Sequence, residues 1–176
     1  MRTAKLLRAA CALAIIGSAL NCRLYFNNMD VKIPDNAEEY GVSEIKVLKR
    51  QPILINDLDV EISIQHPDLS ELEAWIESPQ GTVVPLFSEI DGEGLRSLVF
   101  DDDGENLRPV SAWGPPAGYG LWGGTVQIQE YELRVMGLFL FDGENPDGVW
   151  RLCVRDRVPG NTGSITLFGL GINGEW

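Results

Sequence analysis

The sequence is poor in the side chains on which most hydrolytic enzymes and nucleic-acid-binding proteins rely. It contains one histidine, His66, and three cysteines. Basic residues are also scarce, because 14 Lys and Arg stand against 26 Asp and Glu and give a formal net charge of −12. This acidic balance argues against nucleic acids and other polyanions as partners. It leaves room for cations, proteins and neutral sugars.

The scarcity of histidine also argues against catalysis. A Ser-His-Asp triad needs an imidazole as its general base, and His66 is the one imidazole in the chain. The sequence contains no Gly-x-Ser-x-Gly motif around a nucleophilic serine. His66 ends a stretch of alternating residues, so we expect it at the end of a strand, with its ring satisfied by hydrogen bonds. We therefore expect no catalysis by this chain alone.

The N-terminus has the layout of a secretory signal. Basic residues at positions 2, 5 and 8 precede a short apolar run at 9–16 and small residues at 17–19. The run is too short to span a bilayer. We predict a signal peptide over 1–19, an N-terminal arm over 20–32, one domain over 33–176, and a protein that is secreted or held in the cell envelope. Removing 1–19 would leave 11 of the 14 basic residues against 26 acidic ones, a formal charge of −15.

Two cysteines, Cys22 and Cys153, would remain after cleavage. Disulfides persist in extracytoplasmic compartments, so a Cys22–Cys153 bridge is one expectation. The alternative makes Cys22 the lipidated first residue of a bacterial lipoprotein and leaves Cys153 free. Asn21 stands where that processing prefers a small residue, so we favour the bridge or free thiols.

Alternation of apolar and polar residues dominates the chain from residue 33 onward, whereas helical periodicity is nearly absent. The alternation covers residues 45–47, 55–66, 72–77, 150–155 and 168–172, with a turn at 78–81 leading into a strand at 82–87. It predicts Trp150 in the core and Trp75 on the opposite face of its strand. The Gly/Pro-rich segment 111–125 predicts a long loop. Antiparallel strands with one apolar face must bury it against another layer, so the pattern predicts an all-β, two-sheet sandwich of unspecified strand order.

Three separated stretches carry a family resemblance. They are Ile-Pro-Asp-Asn at 33–36, the stretch 66–82 with its Ser-Pro-Gln-Gly-Thr turn, and the stretch 143–172 that begins Gly-Glu-Asn-Pro-Asp-Gly-Val-Trp; Phe-Asp-Asp at 100–102 adds a fourth element. In order and spacing they resemble the P domain (P/Homo B domain) of subtilisin-like proprotein convertases. Ser70 and Glu71 stand where that family has Gly-Asp.

The resemblance implies a jelly-roll β-sandwich of the galactose-binding-domain-like kind. In convertases this domain packs on the catalytic domain and supports its folding. For this chain the resemblance therefore implies an accessory or interaction module with a protein partner, a protease being one candidate. The alternative function is a carbohydrate or cell-surface binding module, for which a glycan would be the partner.

Four carboxylates lie close together in one predicted turn: Asp101, Asp102, Asp103 and Glu105. Several oxygen ligands in one place suit calcium, the one cofactor that the sequence suggests, and more so if Asp35, Asp57 or Asp156 approached the turn. The spacing is not that of an EF-hand. A solvated acidic turn without a metal is an equally good interpretation.

Aromatic residues in the predicted 111–125 loop are candidates for a binding surface. Trp113, Tyr119 and Trp122 could form a platform for sugar rings or a protein partner, and Trp75 could extend it. The alternative is that the three pack over one end of the sandwich.

Overall fold

The protein is described by a computed structural model over residues 23–35, 38–48, 53–102, 121–126 and 137–175. These residues contain ten β-strands and two short 3-10 turns, Leu69–Glu71 and Leu138–Phe141. The strands are β1 Arg23–Asn27, β2 Val31–Ile33, β3 Gly41–Val47, β4 Leu54–Gln65, β5 Leu72–Glu77, β6 Val83–Ser88, β7 Leu95–Phe100, β8 Leu121–Val126, β9 Gly148–Asp156 and β10 Gly163–Glu175.

The strands form two sheets whose order is that of a jelly roll. The larger sheet runs β1-β10-β4-β7-β8, with β2 also on β10, and the smaller sheet runs β3-β9-β5-β6. Four antiparallel pairs, β2–β10, β3–β9, β4–β7 and β5–β6, join the strands in the nested order of a jelly roll. The predicted all-β sandwich is confirmed, and the strand order that the sequence left open is now known.

The core lies between the sheets, where each strand presents its apolar alternate residues. Ile62 of β4 and Leu152 of β9 are fully buried, as is Trp150, the largest buried side chain. Trp150 packs edge-to-face on Phe141 with ring centroids 5.2 Å apart, and its indole N–H donates to the carbonyl of Pro146 at 2.9 Å. Burial of this polar N–H is therefore compensated, and the prediction of a core Trp150 is confirmed.

One prediction about the chain's middle was wrong. The loop predicted over 111–125 contains, at its C-terminal end, β8, which pairs in parallel with β7 from Leu95↔Leu121 to Phe100↔Val126. Two glycines lower the intrinsic strand preference of β8. The neighbouring strand supplies the ladder of backbone hydrogen bonds, so tertiary pairing overrides that preference. Residues 111–120 lie outside the described ranges.

The segment predicted as an N-terminal arm contributes strands to the larger sheet. β1 pairs with β10 from Arg23↔Ile172 to Asn27↔Phe168. On the outer face, Phe26 lies over Gly169, where an added Cβ would sit 2.8 Å from the Phe26 ring. Leu24 and Phe26 remain about half exposed, at 52% and 54%. Among the described residues, no helix has the length and apolar character needed to cross a bilayer.

Candidate functional site

On the described part of the protein, the candidate binding surface is the outer face of the smaller sheet. Because successive strand residues point to opposite faces, the side chains that alternate with the core of β3, β5, β6 and β9 point outward. Strand register arranges them in rows across the sheet. We call this surface the small-sheet face and define it by two sets of residues, the apolar row Val42, Cys153, Trp75 and Pro85 and the charged residues Glu44, Arg151, Glu77, Glu73 and Arg155.

The apolar row crosses all four strands. Val42 lies opposite Cys153, Cys153 opposite Trp75, and Trp75 opposite Pro85. Trp75 is half-buried, and the exposed ring of Tyr40 packs against it edge-to-face at a centroid distance of 5.0 Å. The prediction that Trp75 faces away from the core is confirmed. Cys153 within the row is buried, so the apolar groups that a partner could cover are the partly exposed Val42, Trp75 and Pro85 and the ring of Tyr40.

The charged residues beside the apolar row pair with one another. The Arg151 guanidinium lies 3.0 Å from the carboxylate of Glu44 and 3.6 Å from that of Glu77. On the other side of the row, Arg155 contacts Glu73. Cross-strand pairs of opposite charge stabilise a sheet modestly, and here they offset most of the charge of the face, on which three glutamates meet two arginines.

An open groove of about 640 Å³ lies at one end of this face. Its walls are the segment 27–31 and Tyr40, and its floor includes Val42, Cys153 and Arg151. Asn27 fixes the segment against β3, because its amide donates to the Ser43 hydroxyl at 3.2 Å and to the Glu44 carbonyl at 3.1 Å. Met29, on the rim, is 72% exposed. The groove thus combines apolar and charged groups within reach of one ligand.

Cys153 is buried although it lies on the outward side of β9. Desolvation raises the pKa of its thiol to about 11, with a further increase from Glu77 that Arg151 partly offsets. A thiol with so high a pKa is a poor nucleophile at neutral pH. The predicted bridge to Cys22 stays a prediction, since Cys22 lies outside the described residues.

His66 follows β4 and is buried, with contacts at both ring nitrogens. Nδ1 lies 2.7 Å from the carbonyl oxygen of Asp68, and Nε2 lies 3.3 Å from Oδ2 of the buried Asp156. The carboxylate of Asp68 accepts hydrogen bonds from the hydroxyl and the backbone N–H of Ser70. These bonds hold the pKa of Asp68 below its usual value. The hydrogen-bonded histidine expected at this strand end is therefore present.

The acidic turn is described in part. Asp101 lies beside Asp57 and Asp59 of β4, and one carboxylate oxygen of each lies within 4.8 Å of the others. We call these three residues the carboxylate cluster. Asp102 is half-buried, whereas Asp103 and Glu105 lie outside the described residues.

Of the three aspartates expected to approach the turn, the structure brings Asp57 to it. Asp35 instead accepts a hydrogen bond from the backbone N–H of Gly160 at 3.0 Å, and Asp156 faces His66. Asp59 was not singled out from the sequence. Its position two residues after Asp57 on the outward side of β4 was the available signal.

The aromatic platform predicted in the middle of the chain is not tested. Trp113 and Tyr119 lie outside the described residues, and Trp122 is described as part of the β8 backbone. A different aromatic pair, Tyr40 and Trp75, lies on the small-sheet face. Sequence analysis found Trp75 but missed Tyr40, which precedes β3 and has no alternation signal of its own.

Two of the stretches that carry the family resemblance meet in space. The amide of Gln80 donates to the Asn145 carbonyl at 3.3 Å, and the Thr82 hydroxyl contacts the Glu144 carboxylate. Gly148 has a φ of +135°, and a Cβ there would lie 2.5 Å from the Pro79 ring. The glycine is required both by backbone conformation and by this close approach.

No protein-family model matches the chain, and no curated protein matches it by sequence. Among solved structures, its fold is similar to that of a serine protease of Aeromonas sobria, with a TM-score of 0.56 and 16% identity over 95% of this chain and 29% of the protease. The same protease solved in complex with its chaperone gives a TM-score of 0.55 and 16% identity over 97% and 29%. Identity this low shows a shared fold alone, and the chain spans less than a third of the protease that it matches.

Proposed function

We propose that this protein is an exported, non-catalytic interaction module that binds a protein partner through the small-sheet face. The observation that carries the proposal is the apolar row, whose members Val42, Trp75 and Pro85 are partly exposed, together with the exposed ring of Tyr40 that packs on Trp75. A partner that covered this row would bury apolar area without leaving a charge unpaired, since the flanking arginines already contact glutamates. Burial of such a strip is the main favourable term in association.

A subtilisin-like protease is the first candidate for the partner. The motifs at 66–82 and 143–172 resemble those of a domain that accompanies such proteases, and the fold is similar to part of a serine protease. That protease has also been solved in complex with a chaperone, so it associates with another chain. Because one fold can host many functions, these similarities only suggest which proteins could be the partner. The chemistry of the small-sheet face determines which of them binds.

We propose that catalysis resides in the partner. His66 is buried, and its Nε2 faces Asp156 within the protein, so the ring is not presented to a substrate. A fluorogenic peptide assay with the purified protein should give no turnover above buffer. Turnover that disappears in a His66→Gln variant that still folds would contradict this part of the proposal.

The experiment that tests the function is affinity capture with the tagged mature chain, residues 20–176, from extracellular and envelope fractions of the source organism. We expect one defined protein to be retained at stoichiometric amounts and to survive high salt, because the proposed interface is apolar with internally paired charges. Retention that disappears in moderate salt would point to a charge-driven contact and would contradict this interface.

A glycan ligand is the second candidate, favoured by the groove beside Tyr40. A half-exposed tyrosine ring next to Asn27, Glu44 and Arg151 offers a stacking surface together with hydrogen-bonding groups. Glycan-array binding that is lost on Tyr40→Ala substitution would support this candidate. An array without signal, together with a captured protein, would remove it.

Two further features stay predictions. Export rests on the signal-like residues 1–19, and N-terminal sequencing of the secreted protein would test cleavage after Ala19. Calcium binding rests on the carboxylate cluster, whose oxygen donors suit that ion in kind, and its test is described in the Discussion.

A further inference from the structure

A second group of potential metal ligands lies away from both surfaces, at the end of the sandwich where β4 and β9 terminate. It consists of His66, Glu71 and Asp156, each of which offers one ligand atom within 4.8 Å of the other two. The side chains of His66 and Asp156 are completely buried, and Glu71 is half-buried. Three separate elements converge here: the residue after β4, the 3-10 turn and the end of β9.

The hydrogen bond at Nδ1 determines which nitrogen of His66 carries a proton. Nδ1 lies 2.7 Å from the Asp68 carbonyl oxygen, an atom that can only accept. The Asp68 N–H is also close to Nδ1, at 3.2 Å, but the shorter contact would be repulsive if Nδ1 were unprotonated. In the tautomer in which Nδ1 donates to this oxygen, Nε2 of the neutral ring carries a lone pair.

That lone pair faces another acceptor. Nε2 lies 3.3 Å from Oδ2 of Asp156, and an ionised carboxylate cannot donate to it. In this tautomer two acceptors are buried against each other, and they need a positive charge between them. Either a second proton on the imidazole or a metal ion would provide it.

The carboxylates of Asp156 and Glu71 are each held by a hydrogen bond to one oxygen, as the carboxylates of metal sites commonly are. The Val158 N–H donates to Oδ1 of Asp156 at 3.0 Å, which leaves Oδ2 toward His66. The Asn161 amide donates to Oε2 of Glu71 at 2.8 Å, which leaves the other Glu71 oxygen for a further partner. Each of the three groups is thus fixed through one atom, and the second atoms of His66 and Asp156 face each other. Outer hydrogen bonds of this kind orient ligands and tune their basicity.

We propose that His66, Glu71 and Asp156 bind a divalent transition-metal ion of the zinc type. For two ligands about 2.0–2.1 Å from a tetrahedral Zn²⁺, the separation between them is about 3.3 Å, and Nε2 and Oδ2 are 3.3 Å apart. An imidazole ligand favours Zn²⁺ over Ca²⁺ or Mg²⁺, which prefer oxygen alone. Two carboxylates neutralise the ion, and the half-buried Glu71 leaves the approach through which the ion and a water ligand would enter.

The site has a structural role by its position. It joins the end of β4 to the 3-10 turn and to the turn that connects β9 with β10. These elements are otherwise linked by backbone bonds such as that from the Arg157 N–H to the Glu71 carbonyl, at 2.8 Å. Because a metal bound to the folded state stabilises it by mass action, Zn²⁺ should raise the melting temperature of the protein.

The test is a Zn²⁺ titration of the chelator-treated chain without an affinity tag, followed by calorimetry and thermal melting. We expect one ion per chain and a higher melting temperature. Glu71→Gln, a half-buried and nearly isosteric change, should weaken Zn²⁺ binding tenfold or more, as should His66→Gln if it folds. Asp91→Asn, at an exposed carboxylate outside both clusters, is the matched control and should bind Zn²⁺ as the unchanged chain does.

A second measurement needs no variant. Because His66 is the one histidine in the chain, a ¹⁵N spectrum of histidine-labelled protein contains a single ring. We expect added Zn²⁺ to shift the Nε2 resonance while Nδ1 keeps its proton. An Nε2 that carries a proton and is unmoved by saturating Zn²⁺ would overturn the proposal, as would Zn²⁺ binding that Glu71→Gln leaves unchanged and Asp59→Asn abolishes.

Discussion

The two outer faces of the sandwich carry charge in opposite ways. On the small-sheet face, Arg151 lies between Glu44 and Glu77, and an apolar row runs beside these pairs. On the larger sheet, Asp57 and Asp59 point outward from alternate positions of β4 and gather with Asp101. Paired charges beside apolar side chains can be covered by another protein at low cost, whereas gathered carboxylates favour water or a cation. From this comparison we propose protein binding at the first face and cation binding at the second.

The largest expected effect on stability comes from a substitution in the core between the two sheets. Trp150→Ala removes the largest fully buried side chain and its hydrogen bond to the Pro146 carbonyl. We expect a loss of about 3–5 kcal/mol in the free energy of unfolding, measured by urea denaturation. Trp150→Phe keeps the aromatic contact with Phe141 and should cost less. Equal losses for the two variants would mean that the indole contributes nothing specific.

The second effect is confined to the small-sheet face. Burial raises the pKa of Cys153 to about 11 from a reference value of 9.0. A folded-state pKa above the unfolded value stabilises the protein below pH 9 and loses that contribution as the pH rises to 11. The loss amounts to about 2–3 kcal/mol by proton linkage.

Cys153→Ala is the control for this alkaline loss. Both proteins lose stability at high pH through tyrosine and lysine ionisation, so the difference between their pH profiles isolates the thiol. We expect urea unfolding of the variant to show a shallower decrease between pH 9 and 11. Identical slopes would show that the thiol titrates normally and is not held out of water.

The third effect tests calcium binding at the carboxylate cluster on the outer face of the larger sheet. Asp59→Asn removes one carboxylate, and hence one candidate calcium ligand, from the carboxylate cluster. With Ca²⁺ added, the melting temperature of the unchanged protein should rise and that of the variant should rise less. Asp91→Asn removes an exposed carboxylate elsewhere and is the matched control. A melting temperature that does not change when Ca²⁺ is added would contradict calcium binding at this face.

The smallest effect tests whether the charges of the small-sheet face are energetically neutral. The Arg151 and Glu44 side chains are 39% and 54% exposed. Arg151→Met should therefore change stability by less than about 1 kcal/mol, with a smaller difference at high salt. Chemical denaturation at two salt concentrations measures this difference. A large loss that persists in salt would mean that the pair is a structural element rather than a solvated one.

Much of the architecture follows from local pattern. Alternation located β4, β5, β9 and β10, because a half-buried strand needs one apolar face. The Ser-Pro-Gln-Gly turn located the hairpin between β5 and β6, in which Gly81 adopts a φ of +88°. These features depend on neighbours in sequence, so the sequence displays them.

The candidate surface depends on long-range register and could not be predicted in the same way. Val42, Trp75, Pro85 and Cys153 come from four strands, and nothing local places them in one row. The meeting of His66 with Glu71 and Asp156 likewise requires β4 and β9 to end at the same side of the sandwich. β8 was missed because a neighbouring strand, and not its own composition, provides its hydrogen-bond partners.

The central claim is that a protein partner binds the small-sheet face, and paired surface variants test it most directly. Trp75→Asp and Tyr40→Asp place charge on that face, whereas Leu24→Asp and Phe26→Asp do the same on the larger sheet, at side chains that are more exposed. With folding checked by circular dichroism, capture of the partner should be lost for the first pair and kept for the second. Capture that survives Trp75→Asp and Tyr40→Asp but is lost with Leu24→Asp and Phe26→Asp would contradict the account and move the interface to the other face.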